Sequence, residues 1–178
     1  MSAKTILVIE DENVARQWVV KTLKSHGYHT IEDRTGQLAL ESTPSCDLAI
    51  VDYRLPYTDG LTIVEHFLEI NQPFIFLTAA NDMRLIKAVS ETGSIFAVKG
   101  LTENELIAHV ETALAMEKIR RIEGATQIMT ERRGLNKQQG LGYIEARSKR
   151  TRKAVEVIAK EIIDEAEELT KSSNLFEV

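Results

Sequence analysis

Six positions carry groups that could do chemistry together: the acidic run Glu10, Asp11 and Glu12, the carboxylate of Asp52, the hydroxyl of Thr78 and the ammonium of Lys99. Carboxylates gathered in one place repel one another unless a cation joins them. An all-oxygen site of that kind suits Mg2+, a hard ion that keeps several waters and leaves positions for phosphoryl oxygens. A hydroxyl and an ammonium opposite could then hold the oxygens of a phosphorylated aspartate. Taken singly, each residue has a plainer reading, because acidic residues often cap the helix after a strand and lysines are commonly solvated. Their order along the chain, at the ends of particular elements, is what separates the two readings.

Those elements follow from the apolar pattern of the first 115 residues. Thr5–Ile9, Asp47–Val51, Phe74–Leu77 and Ile95–Val98 are short runs rich in Ile, Leu, Val and Phe, with a weaker one at His29–Glu32, and all five read as strands. Val14–His26, Leu61–Ile70, Asp82–Thr92 and Thr102–Ala115 have helical length and spacing, Thr35–Ser42 is a shorter helix, and Gly27 and Gly93 sit where helices end. Strands alternating with helices predict an α/β fold, a doubly wound five-stranded parallel sheet covered on both faces. In that architecture function collects at the carboxyl ends of the strands. Glu10 to Glu12 follow the first strand, Asp52 the third, Thr78 the fourth and Lys99 the fifth.

This constellation resembles the receiver domain of two-component response regulators, over about residues 3–118. The resemblance is carried by Ile-Leu-Val-Ile-Glu-Asp-Glu at 6–12, Asp-Leu-Ala-Ile-Val-Asp-Tyr-Arg-Leu-Pro-Tyr-Thr-Asp-Gly-Leu at 47–61, Leu-Thr-Ala at 77–79 and Phe-Ala-Val-Lys at 96–99. It implies a flavodoxin-like receiver that is not a conventional enzyme but transfers a phosphoryl group to itself from a sensor histidine kinase. By the same resemblance Asp52 is the phosphoacceptor, and Glu10, Asp11, Asp52 and the carbonyl of Arg54 bind Mg2+. Thr78 and Lys99 contact the phosphoryl group, Thr78 and Phe96 form the switch, and Pro56 and Gly60 match the turn and helix start after the acceptor. Glu10 stands where Asp is commoner, which keeps the charge. Gly100 replaces the proline that usually follows the lysine, which puts a cis peptide there in doubt.

Composition excludes several other classes. The net charge of −5, 43% hydrophobic and 28% charged residues describe an ordinary globular chain. One cysteine, Cys46, permits no internal disulfide. No apolar run reaches the roughly 18 residues of a membrane helix, and Met1–Glu10 lacks the marks of a signal peptide, so the expectation is a cytoplasmic protein with no membrane partner. His26, His29, His66 and His109 show no metal spacing and read as surface or capping residues.

The charge is unevenly spread. Residues 1–115 hold 9 basic and 16 acidic side chains, residues 116–160 hold 12 and 5, and residues 161–178 hold 1 and 6. The basic middle suggests an anionic partner, of which nucleic acid is the commonest, against the alternative of a solvated helix face. Here the pattern is helical: periodicity runs on from Leu106 to Met129, a second helix is expected over Asn136–Arg147 and a third over Thr151–Leu169. Together they predict an all-α three-helix bundle. The expected division is a receiver at 1–118, a helical output domain at 119–170 and a flexible tail at 171–178.

The bundle resembles the ANTAR family of RNA-binding antitermination modules. Ala125, Ile128, Met129, Gly134, Leu135, Ile158, Ala159, Ile162 and Ile163 fit the family pattern with its spacing kept. Thr126 and Gln127 replace its Lys and Gly, Gly140 replaces its Ala, and Glu145 falls where a basic residue is common. The resemblance implies an RNA hairpin as ligand and places its surface at Thr126 and Gln127, while the basic residues Arg132, Arg133, Lys149, Arg150 and Arg152 are those expected to meet its phosphates. The small size of the bundle and its continuity with the helix from Thr102 point to a homodimer formed on phosphorylation. Two alternatives remain open at this point. One is a DNA-binding regulator with its turn at Ser148–Thr151; the other is an output that acts only by dimerisation or protein contact.

Overall fold

The computed structural model describes residues 3–78 and 94–174, with side chains to residue 170. The helix expected at Asp82–Thr92 and the glycine expected to end it, Gly93, lie outside the described residues. Five strands, β1 (Thr5–Ile9), β2 (His29–Asp33), β3 (Leu48–Asp52), β4 (Phe74–Thr78) and β5 (Ile95–Val98), form one parallel sheet in the order β2-β1-β3-β4-β5. Every residue of β3 and β4 is buried, as expected of central parallel strands covered on both faces. The strand that ends at Asp52 starts one residue later than expected, at Leu48; Asp47 before it accepts from Lys4 Nζ at 2.8 Å and from the Thr5 amide at 2.9 Å.

Six helices are described: α1 (Asn13–Ser25), α2 (Gln37–Glu41), α3 (Gly60–Glu69), α4 (Glu103–Arg133), α5 (Lys137–Thr151) and α6 (Val155–Asn174). One face of the sheet buries Ile6, Val8, Ile50 and Ile75 against Val19, Val20 and Leu23 of α1 and Leu106 and Val110 of α4. The other buries Leu7, Ile9, Val51 and Phe76 against Ala39 of α2 and Ile63, Val64 and Phe67 of α3. This is the doubly wound receiver-type fold.

The chain divides into two compact units, residues 1–114 and 115–178. The second has its own core of Ala125 and Met129 from α4, Ile144 from α5 and Ile158, Ala159 and Ile162 from α6. An Asn136–Gln139 capping box starts α5. That helix runs to Thr151, whose hydroxyl donates to the Arg147 carbonyl at 2.8 Å. Ser148–Thr151 is therefore helical and does not supply the turn a DNA reader was expected to use. The break comes at Arg152, which takes a left-handed φ of 58°. At the far end α6 continues to Asn174, so residues 171–174, expected to be tail, are helical. Arg132 ties α6 to α4 by donating to the Ala166 carbonyl at 2.9 Å and Thr170 Oγ1 at 2.8 Å.

Candidate functional site

The sheet register brings the chemical groups to one edge. Glu10 follows β1, with its amide donating to the Asp33 carbonyl at 3.0 Å, and Asp52 closes β3. Thr78, buried, closes β4, and the Lys99 amide donates to its carbonyl at 2.7 Å. The Lys99 ammonium lies 2.7 Å from Glu10 Oε2 and 3.1 Å from Asp52 Oδ2. Carboxylate oxygens of Glu10, Asp11 and Asp52 all fall within 4.8 Å of one another.

Burial sets the electrostatics. Glu10 is 2% and Asp52 4% exposed, and desolvation pushes both carboxyls above their ordinary range against the opposing pull of Lys99. On Asp52 the main-chain amides of Arg54 and Tyr53 also pull downward. Burial alone would depress the Lys99 ammonium, but Glu10 and Asp52 outweigh it and its pKa is raised. Glu10 Oε2 has no directed hydrogen bond; the neighbouring ammonium satisfies it by charge. An all-oxygen set of three carboxylates, two of them buried, fits a hard divalent cation such as Mg2+.

The turn after Asp52 is tightly built. The Gly60 amide donates to the Tyr53 carbonyl at 2.9 Å, and Asp59 caps α3 by accepting from the Thr62 amide at 2.8 Å. A Cβ at Gly60 would stand 2.4 Å from the Asp52 carbonyl oxygen, so only glycine lets α3 begin this close to Asp52. Gly100 takes φ of +101°, which proline cannot adopt, and the described residues contain no cis peptide. Phe96 is half-buried beside Phe76, with ring centroids 6.3 Å apart.

Sequence reasoning passed over Arg16. It is fully buried on α1, with its guanidinium on the acidic loop. The signal was present: position 16 shares the spacing of Val19, Val20 and Leu23, a charge on an apolar face.

In the helical unit the structure separates the residues expected to meet RNA. Thr126 is a correction. It is only 3% exposed, its hydroxyl donates to the Ile122 carbonyl at 2.6 Å, and Gly140 packs against it, so it has no surface to offer a ligand. Two of the four departures from the family pattern, at 126 and 140, thus fall on one contact. Gln127 is exposed and donates to Glu131 at 2.8 Å. Arg132 is engaged with α6 as described, and the Arg133 guanidinium lies 5.0 Å from the centre of the Tyr143 ring. Arg147 pairs with Glu161 and Glu165, and Lys153 with Glu161. Lys149, Arg150 and Arg152 are exposed and meet no acidic partner among the described residues.

A doubly wound parallel sheet with carboxylates, a hydroxyl and a lysine at its carboxyl edge defines a phosphoacceptor regulatory domain. The chain belongs to the response regulator receiver domain family, which matches residues 6–111. It thus carries the receiver domain of two-component response regulators. It is 31% identical over 114 residues to the transcriptional regulatory protein PcoR of Escherichia coli, covering 61% of this chain and 50% of that one. It is 30% identical over 105 residues to a cyclic di-GMP phosphodiesterase of Thermotoga maritima, covering 58% of this chain and 28% of that one. The chain therefore spans half or less of the length of these curated relatives. Among solved structures, a CheY-like response regulator receiver domain of Methanospirillum hungatei superposes with a TM-score of 0.59 at 22% identity, over 65% of this chain and 96% of that one. That likeness speaks to the fold alone. Among the described residues no helix is long and apolar enough to cross a membrane.

Proposed function

We propose that the chain is a phosphorylation-controlled, RNA-binding transcription antiterminator acting in the cytoplasm. In this reading a carboxylate oxygen of Asp52 attacks the phosphorus of a phosphohistidine on a sensor histidine kinase. An O–P bond forms as the P–N bond breaks, and the imidazole leaves with the electron pair. Glu10, Asp11, Asp52 and the carbonyl of Arg54 would hold Mg2+, which supplies neutralisation of the charge on the transferring group. Lys99 and Thr78 bind the phosphoryl oxygens, and Thr78 and Phe96 pass the change on. The observation that carries the receiver half is the Lys99 ammonium shared between Glu10 and Asp52, a cation poised where added negative charge arrives.

The output half rests on Lys149, Arg150 and Arg152 at the close of α5, which meet no acidic partner among the described residues, set on an α4–α5–α6 core that keeps the ANTAR spacing. Cations without protein partners are those available to phosphates. A second reading, an output that works by protein contact, draws support from the same pairing data, because Arg132, Arg147 and Lys153 are spent within the unit.

A gel-shift competition at two salt concentrations separates them. Phosphorylated chain should bind hairpin RNA above duplex DNA, and Asp52→Asn should show no response to the kinase. Replacing Lys149, Arg150 and Arg152 together by glutamine should weaken all RNAs alike and flatten the salt slope by about two to three units. Duplex DNA binding as tightly as RNA overturns the antiterminator reading, and binding of neither favours the protein contact.

A further inference from the structure

We propose that Arg16 is a positioning residue for the acidic cluster, holding the loop of Glu10 and Asp11 in the shape a divalent cation needs. Its side chain is fully buried, a costly place for a charge unless every donor is matched. Here four of its five N–H donors are matched. Nη1 donates to the carbonyl oxygens of Glu10 at 3.1 Å and Asp11 at 3.2 Å, Nη2 to Asn13 Oδ1 at 2.7 Å and Nε to Glu32 Oε2 at 3.1 Å.

Two of these four acceptors are consecutive main-chain carbonyls of the very residues whose side chains form the cluster. A guanidinium is a rigid planar fork, so anchoring Nε on the residue before the end of β2 and Nη2 on α1 fixes where Nη1 lies. The loop carbonyls, and the carboxylates that branch from the same residues, are fixed with it. The spacing of Val19, Val20 and Leu23 shows that the core at this position asks for an apolar side chain. An arginine there answers the needs of the loop instead, and its positive charge stands behind three carboxylates that repel one another.

This inference rests on the Mg2+ reading of the cluster, and the test keeps the two apart. MgCl2 is titrated calorimetrically into the full chain as wild type, Arg16→Lys and Glu32→Ala, with urea unfolding of each in parallel. Arg16→Lys keeps the charge, but three donors on one nitrogen cannot reach four acceptors spread over the loop, β2 and α1. We expect it to bind Mg2+ about 10-fold more weakly, the low end of what lost outer-sphere support costs a metal site. Glu32→Ala frees Nε alone and should weaken binding by a smaller factor in the same direction. With a small phosphodonor, Arg16→Lys should need more Mg2+ for half-maximal phosphorylation while keeping its rate at saturating Mg2+, a split that general destabilisation would not produce. A folded Arg16→Lys with the wild-type Mg2+ constant overturns the inference. Should that variant fail to fold, an unchanged constant in Glu32→Ala overturns it. Wild-type chain that binds no Mg2+ sinks the metal reading itself and this inference with it.

Discussion

Asp52 and Glu10 are carboxylates held in a place that resists their charge. Burial raises both above their ordinary values of 3.8 and 4.5. The folded chain therefore binds these protons more tightly than the unfolded chain. Their contribution to stability is fully present below the ordinary values and is lost as pH rises through the raised folded values. Asp52→Asn removes one of the two opposed charges and leaves Lys99 paired with Glu10. The variant should melt about 2–4 °C higher than wild type at pH 7, what about 1 kcal/mol is worth in a chain of this size. The gain should fade as pH falls toward 4. Scanning calorimetry across that range measures it, and an asparagine variant that melts lower at pH 7 would mean that the attraction of Lys99 exceeds the burial cost. The Cys46 thiol, by contrast, is pushed up to about 11 by burial, which suits inert packing and no redox role.

Elements meet at two points where a single atom decides the fit. At the start of α3, Gly60→Ala would drive a methyl against the Asp52 carbonyl, the Tyr53 Cα and the Phe76 ring. Backbone cannot yield as a flexible side chain does, so we expect a loss of about 1–3 kcal/mol by urea unfolding and slower phosphorylation from a displaced acceptor. Unchanged stability would show that α3 can shift freely away from β3. In the helical unit, a Cβ at Gly140 would come 3.1 Å from the Thr126 methyl and 3.3 Å from its carbonyl. Gly140→Leu should loosen α5 from α4 and lower the melting temperature. Gly140→Leu with Thr126→Ala should recover part of the loss, which circular dichroism on the pair of variants reads directly.

Over the whole molecule, one helix belongs to both units: α4 runs from Glu103 to Arg133 while the units meet in sequence at Leu114 and Ala115. A continuous helix transmits a change of packing along its length better than a flexible linker does. If coupling runs through it, two prolines inserted after Ala115 should break the helix and leave phosphorylation intact while abolishing its effect on RNA affinity. Phosphorylated and unmodified wild type should also differ in association state by sedimentation. Identical monomers at micromolar concentrations in both states would remove dimerisation from the mechanism. Residues 1–115, with 16 acidic against 9 basic side chains, repel a polyanion that the 12 basic against 5 acidic side chains of residues 116–160 attract.

Strand identities, the parallel sheet and the cluster at its edge were legible along the chain, because each strand is a local apolar run and each chemical group sits directly at its end. The long α4 was legible too, since nothing in its periodicity breaks it. What the chain does not display is partner choice between distant residues. Arg16 shows along the chain only as a charge on an apolar face, and its partner Glu32 comes from another element. Thr126 reads as a ligand contact until Gly140 covers it. The basic run from Arg132 to Lys153 reads as one patch until α6 lays Glu161 and Glu165 beside it, neutralising some cations and leaving Lys149, Arg150 and Arg152 with no acidic partner among the described residues. Local sequence determines which groups exist and on which element they stand. Only tertiary packing decides which of them remain unspent, because burial and neutralisation are set by residues that share space without being neighbours along the chain.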